Sequence, residues 1–345
     1  MGELFFHNVT GQKRAAGHLS DMVRTGRILH AMILTGDAGS GRHELAEAFG
    51  AALLCEHPVE RDGFLEACGE CRSCHQAKSG ANPDLITVRN VDPKTGKMKP
   101  PGVDDIRRMR DSVAILPYYA DHKVYILPLA DKMGAQAQNA LLKTLEEPPA
   151  YAVLLLLAGS TDGLLPTVLS RSVTLRLQAV SSDLIEKDLV SRGIDPKKAH
   201  RYAALANGNP GRARLLSQSE NYEEFFRQVT ELFRDLPKKS AGDLSLASAR
   251  ILGTDADFDA EEEFYFLAEM YVRDLAAGLA NAPSLIFHSP ITYSNHTVEN
   301  EPFLTFDQVE RLRLAVSNAR KRRARNGDPV MTCELMLLSM RDALS

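Results

Sequence analysis

The chain has 345 residues, 44% of them hydrophobic and 25% charged, with a formal net charge of −4. That balance excludes a disordered chain, leaves room for two or three domains, and counts against a stand-alone nucleic-acid binder, which carries a basic excess. The longest apolar stretch, Ala152 to Ala158, is strand-sized, so no membrane span is predicted. The N-terminal residues lack a basic region followed by a long apolar one, so no secretory signal is read and a cytoplasmic protein is expected.

In chain order, the pattern predicts a helix over Gln12–Arg24, a strand over Ala31–Thr35 and a helix over Gly41–Leu54. It continues with a strand over Leu85–Val88, a helix over Val103–Leu116, a strand over Lys123–Leu127 and a helix over Ala135–Glu147, which Pro148-Pro149 ends. Strands follow at Val153–Ala158 and Val173–Leu177. Apolar strands alternating with amphipathic helices imply an α/β domain with a parallel sheet covered on both faces, spanning residues 1–177. A small helical domain is expected over 178–219, from short helices at Ser181–Arg192, Pro196–Ala206 and Gly211–Ser217. The first has a Ser-Ser-Asp cap, and turn chemistry at 207–211 precedes the third. Residues 220–345 read as all-α, with helices at Tyr222–Leu236, Glu261–Leu279, Phe306–Arg325 and Val330–Leu344 and a polar loop at Asn281–Pro302.

The strand at Ala31–Thr35 runs into Gly36-Asp37-Ala38-Gly39-Ser40-Gly41-Arg42-His43 and then a helix, the context of a phosphate loop of pattern G-x-x-x-x-G-K-[S/T]. Gly36, Gly39 and Gly41 would let backbone N–H groups approach phosphates, with the helix dipole behind them. Arg42 replaces the lysine, and its planar fork is not interchangeable with an ammonium. His43 replaces the magnesium-binding hydroxyl, and magnesium prefers hard oxygen ligands. Hydrolysing phosphate-loop proteins also place an acidic pair at the end of the third strand, where this chain has Pro128-Leu129. Asp131 reads as the cap of the next helix. A vestigial loop is therefore expected, with neither ATP binding nor hydrolysis by this chain.

Four of the five cysteines fall together as Cys55 and Cys68-x-x-Cys71-x-x-Cys74. This spacing suits a closed, tetrahedral structural Zn2+ site stapling the 55–74 excursion, which shows no apolar periodicity; free thiols or a redox pair are the alternative. His57 and His75 are possible substitute ligands. Cys333 reads as packing or surface.

Three segments together resemble the clamp-loader branch of the AAA+ superfamily: Val9-Thr10-Gly11-Gln12 with Arg27-Ile28-Leu29-His30-Ala31, Gln136 through Pro149, and Leu164 through Ser172. The likeness spans residues 5–216, with a weaker echo over 326–344. It implies a P-loop AAA+ domain with a zinc module, a helical lid and a C-terminal oligomerisation collar. In the family's Ser-Arg-Cys segment, here Ser170-Arg171-Ser172, the arginine acts in trans on a neighbour's ATP site. The family's second sensor, an arginine opening the last lid helix, falls at Gly211 with Arg212 one position on. The resemblance also implies partners: the motor (gamma/tau) and delta subunits of a bacterial replicase's loader, and, through the complex, the sliding clamp and primed DNA. The expected role is a non-hydrolysing loader subunit. The alternatives are an ATP-hydrolysing motor subunit of the same loader or a zinc-containing nucleic-acid-binding module. The basic run Arg320-Lys321-Arg322-Arg323 with Arg325 reads as a solvated helix face, with a partner-subunit contact as the minority reading.

Overall fold

The computed structural model describes residues 4–93, 96, 98–254, 256–282, 286 and 304–344, and the chain divides into two units, Met1–Ser217 and Gln218–Ser345. In the first unit the apolar runs form strands β1 (Ala31–Thr35), β2 (Leu85–Thr87), β3 (Lys123–Leu127), β4 (Ala152–Ala158) and β5 (Val173–Arg176). They make one sheet of order β2-β3-β4-β1-β5, with every pairing parallel. Helices α1 (Lys13–Thr25) and α2 (Arg42–Leu53) flank it, followed by α3 (Arg72–Ser79), α4 (Val103–Val113), α5 (Ala135–Glu146) and the one-turn α6 (Pro166–Leu169).

Both faces of the sheet are covered, which is why its strands read as unbroken apolar runs. On β3, Val124 and Ile126 join a core with Leu19, Leu45 and Phe49 of α1 and α2. Tyr125 and Leu127 point the other way, into a core with Ile106, Met109, Leu141 and Leu145 of α4 and α5. All seven residues of β4 are buried.

The excursion after α2 is more ordered than its sequence suggests. It holds an antiparallel hairpin, Val59–Arg61 with Phe64–Glu66, and then α3. Strands of three residues and a helix of eight are too short to display a hydrophobic period. Cys55, expected at the end of α2, lies just beyond its C-cap at Leu54.

Three short helices, α7 (Ser182–Ser191), α8 (Pro196–Leu205) and α9 (Pro210–Gln218), follow. Ser181 sits at the N-cap of α7 but makes no side-chain cap bond, contrary to the sequence expectation, whereas Asp195 caps α8 through the N–H groups of Lys197 and Lys198.

The second unit is helical: α10 (Tyr222–Asp235), α11 (Ala241–Leu252), α12 (Ala260–Leu279), α13 (Phe306–Ala324) and α14 (Pro329–Leu344). Helix α11 was not expected, although its capping box, Ser240 with Asp243, is visible in the sequence. Aromatic packing centres on Phe233, whose ring lies 5.7 Å from that of Phe264 and 5.1 Å from that of Tyr271. Leu312, Val316 and Cys333 are buried. Of the basic run, Arg320 pairs with Glu262 and Glu269, and Arg323 with Glu261, so these two arginines tie α13 to α12. The loop at Asn281–Pro302 lies largely outside the described residues. No helix among the described residues is long and apolar enough to cross a membrane.

Candidate functional site

The phosphate loop leaves the C-terminal end of β1, between β4 and β5, and feeds α2. Gly39 and Gly41 have φ of 86° and 95°, a conformation that favours glycine. The loop is tied to the sheet by the Gly36 N–H, which donates to the Ala158 carbonyl (3.2 Å), and closed on itself by Ser40 N–H to Asp37 carbonyl (3.0 Å).

Arg42 does not reach outward. Its Nη1 donates to the carbonyl of Gly36 in its own loop. Burial lowers its pKa from the usual guanidinium value, against the opposing attraction of Asp131 and Asp37. Asp131 is therefore not the helix cap the sequence suggested. The N-cap of α5 is Gly134, which makes no side-chain bond, while Asp131 lies in a short 3-10 turn, Ala130–Lys132. A Cβ built on Gly159 would lie 3.1 Å from Asp131 Oδ2 and 3.9 Å from Arg42 Nη1, so both side chains converge there. Asp131 Oδ1 is buried without a hydrogen-bond partner among the described residues. Leu129, at the expected catalytic acid's position, has left-handed backbone with φ 53°.

The start of α9 lies directly on this loop. The N–H of Gly211 donates to the Gly39 carbonyl (2.9 Å), and Asn209 Nδ2 donates to the Ala38 carbonyl (2.6 Å). Asn209 Oδ1 in turn accepts from the Arg212 N–H, so one asparagine caps α9 and grips the loop. A Cβ on Gly211 would lie 2.5 Å from the Gly39 Cα, a backbone atom that cannot swing away. Changing Gly211 to Ala is therefore expected to push the start of α9 off the loop. The melting temperature should fall by several degrees, matching an overpacking cost of about 1–3 kcal/mol, and amide exchange should rise at residues 36–41.

Gln12, read from sequence as the start of a helix and the end of the Val9-Thr10-Gly11-Gln12 segment, is a hub. Its Nε2 donates to the carbonyls of Ser40 (3.2 Å) and Gln178 (2.8 Å), and its Oε1 accepts from the Gln178 N–H. A cavity of about 260 Å³ remains beside the loop, bordered by Thr35, Ser40, Ser160, Arg176 and Asn209.

Arg171 lies apart from the loop's hydrogen bonds. It follows α6, and its guanidinium donates to the Thr167 carbonyl and Ser170 Oγ (each 3.1 Å) and pairs with Glu146 at 2.9 Å. Its side chain is 36% exposed. The buried Gln138 of α5 fixes this segment: it donates to the carbonyls of Met133 and Gly163 and accepts from the Leu165 N–H. The two family segments thus meet in space, one supplying Arg171 and the other Glu146 and Gln138. Sequence reasoning missed both partners, because a helix pattern shows that a residue faces inward but not what it binds.

The four thiols of Cys55, Cys68, Cys71 and Cys74 converge, all within 4.8 Å of one another. Separations of 3.9 Å (Cys55–Cys71), 3.8 Å (Cys68–Cys74) and 3.6 Å (Cys74–Cys55) bracket the edge, about 3.8 Å, of a tetrahedron with metal–sulfur bonds of about 2.3 Å. Backbone N–H groups point at the sulfurs: Cys68 to Cys55, Glu70 and Cys71 to Cys68, and Cys74 to Cys71. The hydrogen bond from Cys74, helped by the backbone N–H of Cys68, holds the Cys55 thiol at about 5, and the same bond pushes Cys74 up. His57 and His75 are not part of this set. Four convergent thiols with N–H···S support fit a soft or borderline metal ion and leave no ligand position open.

A parallel sheet of order β2-β3-β4-β1-β5, with a glycine-rich loop leaving its first strand and opening a helix, is the arrangement of a P-loop-type α/β domain. A family model described as "DNA polymerase III, delta subunit" matches residues 11–181. The DNA polymerase III subunit delta-prime of Pseudomonas aeruginosa is 34% identical over 225 residues, 64% of this chain and 65% of that one. The delta-prime subunit of Bacillus subtilis is 28% identical over 228 residues, 66% of each chain. The tau subunit of Bacillus subtilis is 32% identical over 181 residues, 52% of this chain and 30% of that one. The chain spans just under two thirds of the delta-prime relatives it matches and under a third of the tau subunit. Over about two thirds of its length the chain is thus similar to delta-prime subunits of DNA polymerase III.

Proposed function

We propose that this chain is a cytoplasmic, non-hydrolysing subunit of the DNA polymerase III clamp loader. It joins the motor (gamma/tau) and delta subunits, lends Arg171 to a neighbour's ATP site, and helps the complex load the sliding clamp onto primed DNA. The observation that carries this reading is the closure of the phosphate loop by the chain's own lid, through Gly211 on Gly39 and Asn209 on Ala38. These contacts hold the loop through its Ala38 and Gly39 carbonyls, its Gly36 and Ser40 N–H groups are bonded to protein, and Arg42 is turned back onto Gly36. By contrast, Arg171 is partly exposed and held by acceptors on three sides. The second unit, with its own aromatic core, is the collar in this reading, and the first unit carries the AAA+ domain and the lid.

The four thiols would hold a structural Zn2+. The ion would supply cross-linking and charge balance for the thiolates, and no chemistry passes through it. One observation favours the ATPase alternative: Asp131 brings a carboxylate to the loop. It faces Arg42, however, and Pro128 and Leu129 carry neither metal ligand nor base.

Three measurements, two on the isolated chain and one on a reconstituted loader, test the reading. Titration of the isolated chain with a fluorescent ATP analogue is expected to show no saturable binding, and the chain alone no hydrolysis above background. A loader reconstituted from motor and delta subunits is expected to place clamps on primed DNA only when this chain is added. Stoichiometric nucleotide turnover by the isolated chain, or loading indifferent to its presence, would overturn the proposal.

A further inference from the structure

One group beside the four thiols is not a ligand, yet it controls where a ligand points. Arg61, at the end of the hairpin's first strand, donates from Nη1 to the Ala67 carbonyl (3.1 Å) and from Nη2 to the Cys68 carbonyl (2.8 Å). These carbonyls belong to the two peptide planes on either side of the Cys68 Cα. Because a peptide is planar, holding both planes fixes φ and ψ of Cys68 and hence the direction of its Cα–Cβ bond. The same two planes lead into the turn whose N–H groups, from Glu70 and Cys71, reach the Cys68 sulfur.

Arg61 is itself held from two sides. Its Nη1 lies 3.5 Å from Oε1 of Glu66, a carboxylate with no exposed surface, and a buried carboxylate needs a cation or donors nearby. The other partner of Glu66 is His7, whose Nδ1 is 2.7 Å from Oε1. The ring of Phe5 lies under the guanidinium at 5.0 Å and stacks on His7 at 5.3 Å. Phe5 also packs against the turn: a Cβ on Gly69, where φ is 86°, would come within 2.9 Å of the ring.

We infer that Arg61, anchored by Glu66 and Phe5, is a positioning residue of the metal site, setting the orientation of the Cys68 thiolate from outside the ligand set. The inference rests on the reading of the four thiols as a zinc site. It adds a role for residues that no ligand spacing reveals. Outer partners that orient first ligands in this way typically change metal affinity by about 10–100-fold. The planar fork is essential, because one ammonium cannot hold two divergent carbonyls in fixed register.

The test uses the full chain, with zinc as probe and a chromophoric chelator as competitor. The cavity of about 390 Å³ that Arg61, Phe5 and Lys78 line reaches Cys68 and Cys74, so the chelator has access. Arg61→Ala is expected to weaken zinc binding by roughly 10–100-fold, and Arg61→Lys to restore only part of the loss. Cobalt(II) substituted for zinc should show altered d–d and thiolate charge-transfer bands in Arg61→Ala, a signature that a loss of global stability alone would not produce. Glu66→Gln keeps the shape but releases the anchor, and should shift affinity the same way by less, so a poorly folding Arg61→Ala does not stop the test. If the wild-type chain binds zinc while both variants match its affinity and cobalt spectrum, this inference falls alone. If the wild-type chain holds no zinc, the zinc reading falls and takes this inference with it.

Discussion

Replacing Arg171 with alanine is expected to cut clamp- and DNA-stimulated ATP hydrolysis of a reconstituted loader severalfold while the complex still assembles. The argument runs from charge. Phosphoryl transfer concentrates negative charge on the transferring group, and an arginine supplied by a neighbour is worth about 10³–10⁵ in rate in well-studied nucleotide hydrolases. The site facing Arg171 would lose that factor, and the complex would then turn over only as fast as its remaining sites allow. Assembly should survive because Arg171 contributes little to the fold of its own chain. Its partners are a half-exposed Glu146, the Thr167 carbonyl and Ser170 Oγ, and exposed pairs of this kind contribute at most about 1 kcal/mol. Arg171→Lys separates charge from geometry: an ammonium keeps the charge but loses the fork, so only partial recovery is expected. Steady-state hydrolysis with size-exclusion chromatography of the same samples decides the matter. An unchanged rate in an intact Arg171→Ala complex would remove the finger role and leave the subunit a scaffold.

Glu146 refines that expectation. In the chain alone it holds Arg171 at 2.9 Å, so engagement of a neighbour's phosphates would have to outcompete this carboxylate. The contact also explains why the two family segments were recognisable separately but not as one device. Their sequence signals are a capped helix and a Ser-Arg pair, and the bridge between them is made by Gln138 and Glu146, whose spacing looks like ordinary helix surface and core. The sheet was legible for the opposite reason. Seven consecutive buried residues on β4 leave a continuous apolar run that no surface strand would show. The phosphate loop was legible from its glycines, but its closure was not. That depends on Asn209 and Gly211 meeting Ala38 and Gly39 across some 170 residues, and turn chemistry predicts a turn rather than what the turn touches. Asp131 misled for a related reason: a cap belongs immediately before the first helical residue, where Gly134 stands, while Asp131 lies four residues before α5 in a 3-10 turn and its carboxylate faces Arg42.

Replacing Cys71 with serine should abolish stoichiometric zinc and release the turn and α3, residues 67–80, while the parallel sheet stays folded. Ordering a residue costs about 1–2 kcal/mol of backbone entropy. The local core available to offset this is thin: Ala51, Cys55, Ala67, Cys74 and Ala77, with methyl groups worth about 0.8 kcal/mol each. The missing stabilisation must come from the metal, which contributes about 10–16 kcal/mol in small zinc modules. Serine at position 71 removes one soft ligand, and its hydroxyl is a poor replacement for a thiolate. Its Oγ can take over the cap of α3, so a change cannot be blamed on the cap, which the Cys71 sulfur now makes by accepting from the Cys74 N–H. The hairpin just before should hold, since Phe64 belongs to the main core and the Leu65 N–H donates to Ser20 Oγ at 2.7 Å. Amide exchange should therefore rise sharply over residues 67–80 and little over 59–66, and a strong chelator should reproduce the pattern in the wild-type chain. Unchanged exchange in both would mean that Arg61, Glu66 and the small core hold the module without a metal, and the structural zinc role would fail.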